Sequence, residues 1–339
     1  MTTPDVSKLT PLDVRWKGGR PVIEWCDFRD LAFTDPFFIH TYFRLKEQYT
    51  ETSTVTTGAR ALRHAVHHGG LIPSGFIFHM SRCGSTLVSR LFGSSSRILS
   101  LGEPDPVLGM LEFPENISGE NRVAWLRDLI LTLGRPRRRS ETFFLIKFTS
   151  YNLFALPLIR QAFPLVPWVF VYRDPVAVMA SVRRNPTGFM RMKARPDEAD
   201  RYLGIGRKTI VEISEEEYLA RFLARMCEFI LEQARIGGPG EVLLVDYARL
   251  PAAVTDEIAP FLGIDLAEED KQTMKSLLNF WSKDRRGERR FDPGSVGAEP
   301  QNDELLVEAA RWMSSPYRRL RELDRHLRDG LERQLSGRA

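Results

Sequence analysis

Cysteine is scarce in this chain, and the few cysteines present lie far apart. There are three, Cys26, Cys83 and Cys227, and no two of them form a CxxC pair. Closely spaced cysteines would be needed for a disulfide framework or for a zinc site of the usual kind. The sequence therefore predicts neither, and it favours a reduced protein of the cytoplasm that holds no metal.

Long apolar runs are also missing. No stretch approaches the roughly 18 apolar residues that a membrane-spanning helix needs. The first six residues, MTTPDV, lack the charged and then apolar pattern of a secretory leader. We therefore expect no membrane association, which agrees with a cytoplasmic location.

A strong excess of charge is absent as well. The 48 Lys and Arg residues against 44 Asp and Glu give a formal net charge of +4. No stripe of Lys and Arg interleaved with aromatic residues is visible, so we expect no nucleic-acid partner. A mild positive balance can still help to attract a polyanionic small molecule.

Short apolar runs alternate with helical patterns from residue 71 onward. The strand candidates are 75–80, 142–148, 168–172 and 241–246, with 97–101 as a weaker fifth. The helix candidates are 85–92, 121–133, 152–162, 175–184 and, longest, 215–235. This alternation, with strands that are apolar on both sides, is typical of a parallel sheet covered by helices. The predicted fold class is α/β, a P-loop-like three-layer αβα arrangement around a central parallel sheet of about five strands.

The composition divides the chain into three parts. Residues 1–70 are rich in aromatic side chains and include a predicted helix at 37–49, and we expect them to pack on the core as an N-terminal extension. Residues 71–300 form the main α/β domain. Residues 301–339 form a C-terminal helical segment, which we expect to be interrupted at Pro316.

The segment FIFHMSRCGSTL, residues 76–87, is the most informative part of the sequence. It predicts a buried strand, a turn of small residues and then a helix. Such a turn directs backbone N–H groups and the positive end of the helix at one point, which suits an anion and most often a phosphate. A nucleotide triphosphatase loop would read G-x-x-x-x-G-K-[ST]. Here His79 stands at the first glycine and Ser85 at the lysine, while the cation comes earlier as Arg82, so a ligand other than magnesium-bound ATP is favoured.

A second motif follows the strand predicted at 168–172. Arg173 comes at the carboxyl end of that strand, where ligands bind in open α/β sheets. Ser181 lies eight residues further on, about two turns into the next predicted helix. A guanidinium and a hydroxyl in these places could hold one phosphate between them. A purely structural arginine at the strand end is the other interpretation, and both stay open.

Together the two motifs make the chain resemble the sulfotransferases that use 3′-phosphoadenosine 5′-phosphosulfate (PAPS). The resemblance covers roughly residues 71–265. The arginine-led loop looks closer to the Golgi carbohydrate and tyrosylprotein branches, while the lack of a membrane anchor fits a soluble, bacterial-type relative. It implies that the 5′-phosphosulfate is held by Arg82, Cys83, Gly84, Ser85 and Thr86. It also implies that Arg173 and Ser181 hold the 3′-phosphate.

The resemblance assigns catalytic roles to two further residues. Glu103 follows the second predicted strand, where a glutamate of the tyrosylprotein branch removes the acceptor's proton. A structural pairing of Glu103 with Arg97 or Arg82 is the alternative. Lys147 ends the strand predicted at 142–148, and with Arg82 it would stabilise negative charge on the departing phosphate.

Other features of the resemblance are less complete. Tyr247 follows the last predicted strand and would shape the adenosine pocket or the core. Many family members close the 3′-phosphate site with a late basic loop, for which residues 283–290 (KDRRGERR) are candidates, although a solvated run of charges explains them equally well. His79 is expected to be a hydrogen-bonded core residue, and Cys83 a small loop residue with no histidine to activate it.

The implied function is transfer of a sulfuryl group from PAPS to a hydroxyl, or less often an amine, of a small-molecule or glycan acceptor, without a metal and with PAP as the product. Two alternatives stay open. One is a P-loop kinase-like phosphotransferase in which Asp174 or Asp246 binds magnesium, and the other is a non-catalytic nucleotide-binding protein of the same fold. A homodimer stays open too. The acceptor would meet residues 1–70 and 185–215, in which no motif identifies it.

Overall fold

Two β-sheets organise the chain in the computed structural model, which describes residues 5–114, 117–236, 240–280, 282–284, 288–290 and 303–336. The first sheet has three antiparallel strands, in the order β1 (Thr10–Lys17), β2 (Arg20–Cys26) and β3 (Thr54–Gly58). The second has five parallel strands: β4 (Gly75–His79), β5 (Ile98–Gly102), β6 (Phe143–Lys147), β7 (Trp168–Tyr172) and β8 (Val242–Asp246). Its strand order is β5-β6-β4-β7-β8, which confirms the predicted parallel sheet of five strands.

Helices flank the parallel sheet, and those predicted at 37–49, 85–92, 121–133, 175–184 and 215–235 begin within two residues of the predicted position. The earlier helices are α1 (Phe38–Gln48), α2 (Arg60–Val66), α3 (Ser85–Gly93), α4 (Asp105–Leu111), α5 (Gly119–Leu133), α6 (Leu156–Ala162) and α7 (Pro175–Arg184). The later ones are α8 (Gly188–Met192), α9 (Pro196–Leu203), α10 (Arg207–Glu212), α11 (Glu215–Ile236), α12 (Ala259–Phe261), α13 (Glu268–Leu277) and α14 (Asp303–Ser336). Shorter helical turns lie at Ser150–Ala155, Tyr247–Arg249 and Val254–Ile258. The predicted α/β class with helices around a central sheet is thus confirmed.

The antiparallel sheet of the first 70 residues is a feature that the sequence analysis did not predict. Its hairpin turns at Gly18 and Gly19, which both have positive φ (55° and 69°). A pair of left-handed residues matches the twist of the two flanking strands, and glycine adopts this conformation at little cost. Strand β1 packs against α4 and α5, and its buried side chains join one apolar core that extends from Val6 to Leu320. The division into 1–70, 71–300 and 301–339 stays a prediction.

The sheet has a switch point between β4 and β7. From central β4 the chain first moves to β5 and β6 on one side, and then crosses to β7 and β8 on the other. Right-handed crossovers in opposite directions carry their helices to opposite faces of the sheet, which opens a crevice at the carboxyl ends of the two central strands. The register pairs His79 with Val171, so both strands end at the same level. Ligands of open α/β sheets bind in such a crevice.

The C-terminal helix differs from its prediction. It is continuous from Asp303 to Ser336 with Pro316 inside it, so the expected interruption is wrong. A proline in a helix costs about 3 kcal/mol, but α14 packs along α11 and α7 and buries apolar side chains at nearly regular spacing, Leu305, Ala309, Met313 and Leu320. No helix of the described residues is long and apolar enough to span a membrane.

Candidate active site

The candidate residues from five separate segments meet along one edge of the parallel sheet. Glu103 follows β5, Lys147 ends β6, the loop 80–84 follows β4, Arg173 follows β7 and Tyr247 follows β8. Neighbouring strands lie about 4.8 Å apart, so these five positions span roughly 19 Å of the edge. The order along the edge is set by the sheet topology and not by the order in the sequence.

The loop after β4 has an unusual backbone. Ser81, Arg82 and Gly84 have positive φ values of 77°, 50° and 86°. Turns of this kind direct consecutive N–H groups into a concavity that suits an anion. The thiol of Cys83 donates to the carbonyl oxygen of Val171 at 3.0 Å, which fixes the turn on β7. Burial raises the pKa of Cys83 to about 12, so this side chain stays a thiol and serves as a structural donor.

Gly84 is required at its position for two reasons. Its φ of +86° is strained for any other residue, and an added Cβ would lie 2.7 Å from Leu250 and 2.9 Å from the Tyr247 ring. We expect Gly84→Ala to lower the free energy of unfolding by about 2–3 kcal/mol, measured by urea denaturation. Gly93→Ala, at the other end of α3, is the matched control, because its Cβ would meet Ser100 at an ordinary 3.5 Å. Equal stability of the two variants would contradict this account of the loop.

The two sequence motifs come together in a cluster of arginines at the switch point. The Arg82 Nε donates to the Ser181 hydroxyl at 2.8 Å, and Arg173 Nη1 donates to the carbonyl oxygen of Arg82 at 3.3 Å. The backbone N–H of Arg173 lies 3.2 Å from the sulfur of Met80. Arg173 is therefore on the same side of the sheet as the loop. Both arginines bring positive charge to this end of the sheet, which favours an anion.

Tyr247 covers the outer side of this cluster. Its ring centroid lies 4.5 Å from the guanidinium carbon of Arg173, a cation–π arrangement. Asp246 precedes Tyr247 and accepts a hydrogen bond from the N–H of Ala248 at 2.9 Å, which starts the turn that carries the ring. The ring is half-buried and borders the loop at Gly84. The role predicted for Tyr247, in an adenosine pocket or in the core, stays a prediction.

A second charged group lies beside the arginine cluster. The ammonium of Lys147 hydrogen-bonds the carboxylate of Glu103; the Lys147 side chain is fully buried, and 24% of the Glu103 side chain is exposed. Glu103 has a φ of +48°, a left-handed conformation that is uncommon for a non-glycine residue and is often found at functional sites. The Lys147 ammonium also lies 5.0 Å from the centroid of the Phe37 ring, which brings the N-terminal 70 residues to the site.

Neither of the structural partners considered for Glu103 is its hydrogen-bond partner. Arg97 lies 3.9 Å from the carboxylate of Asp270, and Arg82 donates to Ser181. The pairing with Lys147 follows from the sheet, because Gly102 of β5 stands opposite Lys147 of β6. A buried lysine is rare unless it is paired, and this one is paired with the candidate base.

His79 joins the loop to the neighbouring strand. Its Nδ1 accepts from the N–H of Ser81 at 3.0 Å, so its proton is on Nε2, which lies 3.0 Å from the carbonyl oxygen of Phe148 and donates to it. Burial, and then the positive charges of Lys147 and Lys283, hold the pKa of His79 well below its usual value. The ring is therefore neutral and uses both nitrogens in structural hydrogen bonds, which fits the predicted core histidine.

The late basic segment reaches the same region. Of residues 283–290, Arg285, Arg286 and Gly287 lie outside the described residues. Arg90 of α3 donates to the carbonyl oxygens of Ser282 (3.4 Å) and Asp284 (3.1 Å), so the residue between them is held against the helix that follows the loop. That residue is Lys283, which sequence analysis did not single out. A contact between residues almost 200 positions apart leaves no mark in a single sequence.

The two aspartates considered as magnesium ligands have structural hydrogen bonds. Asp174 accepts from the N–H of Ala177 at 3.0 Å and so caps α7, and Asp246 caps the turn that carries Tyr247. Within the described ranges, no group of three or more His, Cys, Asp and Glu side chains is placed to hold a metal ion. The arrangement at the sheet edge thus offers arginines, lysines and hydroxyls, with the Glu103 carboxylate paired to Lys147 and the two aspartates engaged by backbone N–H groups.

Comparison with known proteins gives similar solved structures only. No protein-family model matches the sequence, and no curated protein matches it. The chain is similar to a sulfotransferase from Alicyclobacillus acidocaldarius (18% identity, TM-score 0.44), over 75% of this chain and 96% of that one. It is also similar to the sulfotransferase domain of the Synechococcus PCC 7002 olefin synthase (20% identity, TM-score 0.40), over 73% of this chain and 89% of that one. A retinol dehydratase in complex with retinol and PAP is similar as well (17% identity, TM-score 0.35), over 78% of this chain and 89% of that one.

Proposed function

We propose that this protein transfers a sulfuryl group from PAPS to a hydroxyl, or less often to an amine, of a small-molecule or glycan acceptor. The observation that carries the proposal is the position of the Arg82–Ser181–Arg173 cluster directly beside the Lys147–Glu103 pair. The first group suits a phosphorylated nucleotide, and the second offers a base next to a cation. We further propose that the protein acts in the cytoplasm, in keeping with three buried cysteines that are all free thiols.

The residues of the β4–β7 crevice would hold the donor at both phosphate ends. The loop N–H groups, the positive end of α3 and the hydroxyls of Ser85 and Thr86 suit the 5′-phosphosulfate. Arg173 and Ser181 suit the 3′-phosphate, because a guanidinium and a hydroxyl can both donate to one phosphate group. Arg82 lies between the two ends, since it belongs to the loop but donates to Ser181. The Tyr247 ring gives the adenine an apolar surface.

Glu103 would remove the acceptor's proton. As the acceptor oxygen forms its bond to sulfur, the bond from sulfur to the bridging oxygen breaks, the proton passes to Glu103, and PAP leaves with the electron pair of the broken bond. Negative charge develops on the bridging oxygen as the bond breaks. Cationic side chains of the protein can balance this charge without a metal, and Lys147 and Arg82 would provide them. A base of this kind contributes roughly 10²–10⁴ in rate.

Lys147 has two consecutive partners in this mechanism. In the resting protein its ammonium pairs with the Glu103 carboxylate. Once Glu103 has taken the proton, the ammonium loses its counter-charge at the moment when negative charge develops on the departing phosphate. Because Lys147 is fully buried, the ammonium then interacts strongly with the new charge.

Isothermal titration calorimetry with PAP, ATP and GTP, each with and without magnesium, tests the proposal. We expect PAP to bind with or without magnesium, and radiolabelled PAPS to pass its label to an acceptor found in a metabolite screen. Binding of ATP only with magnesium would support the kinase-like phosphotransferase instead. If none of the three nucleotides binds, the sulfotransferase proposal fails. The remaining interpretation is then a non-catalytic protein that retains the fold.

A further inference from the structure

The anion-binding loop lacks the lysine that loops of this shape usually carry, and the structure shows where a replacement comes from. Ser85 stands at the position of that lysine. A serine hydroxyl can donate a hydrogen bond to a phosphate but brings no charge. A donor with a sulfuryl group on its 5′-phosphate carries negative charge at this end, so a further cation near the loop would strengthen binding.

Lys283 lies at the loop although it is far away in the sequence. The carbonyl oxygens on both sides of it, those of Ser282 and Asp284, accept from Arg90 of α3, the helix that begins at Ser85. Lys283 itself is half-buried, and it interacts electrostatically with Arg82, Lys147 and Glu103. Its segment is thus held against the helix whose N-terminus faces the proposed anion.

We propose that Lys283 binds the 5′-phosphosulfate end of the donor and supplies the positive charge that the loop lacks at residue 85. This assignment rests on the proposed function and adds a binding residue to it. It also changes the role expected for the late basic segment, which the family resemblance assigns to the 3′-phosphate.

The neighbours of Lys283 decide between the two ends of the donor. Its charged neighbours are first Arg82 of the loop, and then Lys147 and Glu103, at the ends of β6 and β5. The residues proposed for the 3′-phosphate follow β7, on the other side of β4. Lys283 therefore belongs to the half of the edge where the sulfuryl group is transferred.

The charge state of Lys283 gives this proposal a readout that a structural lysine would not have. Burial, and then the positive charges of Arg82 and Lys147, lower its pKa to about 8, against a smaller opposite effect of Glu103 and the Cys83 thiol. Among the described residues, the packed elements also carry Arg90 of α3, the adjacent Asp284, and Glu288 and Arg289, whose N–H groups donate to Asp284. An anion bound at Lys283 favours the ammonium form and raises the pKa, so binding at pH 8 should take up about half a proton.

The test compares Lys283→Met with wild type. Lys275→Met, at an exposed position of α13, is the matched control. Methionine keeps the apolar stem and removes the charge. Calorimetry with PAP, adenosine 5′-monophosphate and adenosine 3′-monophosphate is run at pH 8 in two buffers of different ionisation enthalpy. For Lys283→Met we expect about 10–100-fold weaker binding of PAP and of the 5′-monophosphate, unchanged binding of the 3′-monophosphate, and loss of the proton uptake. Lys275→Met should behave as wild type.

The outcomes separate this proposal from the function on which it rests. If wild type binds PAP but Lys283→Met loses affinity for the 3′-monophosphate and not for the 5′-monophosphate, Lys283 belongs to the other phosphate and the proposal is overturned. Unchanged affinities, or proton uptake that persists in Lys283→Met, overturn it as well. If wild type binds none of the three nucleotides, the proposed function itself fails.

Discussion

Glu103→Gln is expected to lower kcat by about 10²–10³-fold and to leave the affinity for PAP within about twofold of wild type. The amide keeps the size of the side chain and an oxygen that can accept from Lys147, but it cannot take a proton from the acceptor. In the proposed complex PAP would bind through the loop and the arginine cluster, and the substitution changes no residue of either. Initial rates with labelled PAPS, and calorimetry with PAP, measure the two quantities.

Glu103→Gln breaks the ion pair with Lys147, so the stability of this variant must be measured. With Gln at residue 103 the fully buried ammonium of Lys147 loses its counter-charge, and an unpaired buried charge destabilises a protein. Urea denaturation will show whether the variant is still folded under the assay conditions. Asp105→Asn is the matched substitution: this carboxyl lies two residues away, and burial together with the charges of Asp13 and Glu103 raises its pKa to about 6.

The comparison of Glu103→Gln with Asp105→Asn decides whether Glu103 is the base. Asp105→Asn should keep kcat within about threefold of wild type, since Asp105 has no proposed part in proton transfer. If Glu103→Gln is folded, binds PAP and turns over at the wild-type rate, Glu103 is not the base. Proton removal would then have to be assigned to another group at the carboxyl edge of β5 and β6.

The parallel sheet could be predicted because its strands are short apolar runs with clear breaks. β7 has the predicted bounds, β4 ends one residue earlier than predicted, and β6 is one residue shorter than predicted at each end. The antiparallel sheet of the first 70 residues was missed although β1 carries a signal for it: the apolar residues Leu12, Val14 and Trp16 alternate with charged residues, and the Gly18-Gly19 turn follows. The continuous helix through Pro316 could not be predicted, because its stability comes from packing against α11 and not from local preference.

The candidate site was predictable to the extent that its residues follow strands. Arg82 and Arg173 both come after apolar strands, and parallel strands end at one edge, so their proximity follows once β4 and β7 are neighbours. The pairing of Lys147 with Glu103 depends on β5 and β6 being adjacent, and the sequence does not give that order. Lys283 depends on a side-chain contact from Arg90 to a loop almost 200 residues later.

The distribution of charge along the edge supports a division of the site into two halves. On the β7 and β8 side the charged side chains next to the loop include Arg173, with the Tyr247 ring covering it. On the β5 and β6 side a lysine is paired with a carboxylate, next to a neutral histidine. A base is useful only where the acceptor is, so under the proposed function the nucleotide would lie at the β4–β7–β8 half, and the acceptor would enter on the Glu103 side near Phe37.

Arg173→Ala is expected to weaken the binding of PAP by about 100-fold and that of adenosine 5′-phosphosulfate by less than about threefold. A guanidinium–phosphate interaction that is partly shielded from water contributes roughly 1.5–3 kcal/mol, which corresponds to about 10–100-fold in affinity. Adenosine 5′-phosphosulfate lacks the 3′-phosphate, so it has no group for Arg173 to bind. Arg173→Lys should fall between wild type and Arg173→Ala, because it keeps the charge but loses the planar donor geometry.

Arg235, an exposed arginine near the end of α11, provides the control for the loss of one positive charge. Arg235→Ala removes the same charge from an exposed position, so it should leave both affinities within about twofold of wild type. Arg173 also donates to the loop carbonyl of Arg82, and a collapse of the loop would weaken both ligands together. The ratio of the two affinities is therefore the quantity that matters. Equal losses for PAP and adenosine 5′-phosphosulfate would show that the 3′-phosphate does not bind at Arg173, whereas a selective loss of PAP places it beside Ser181.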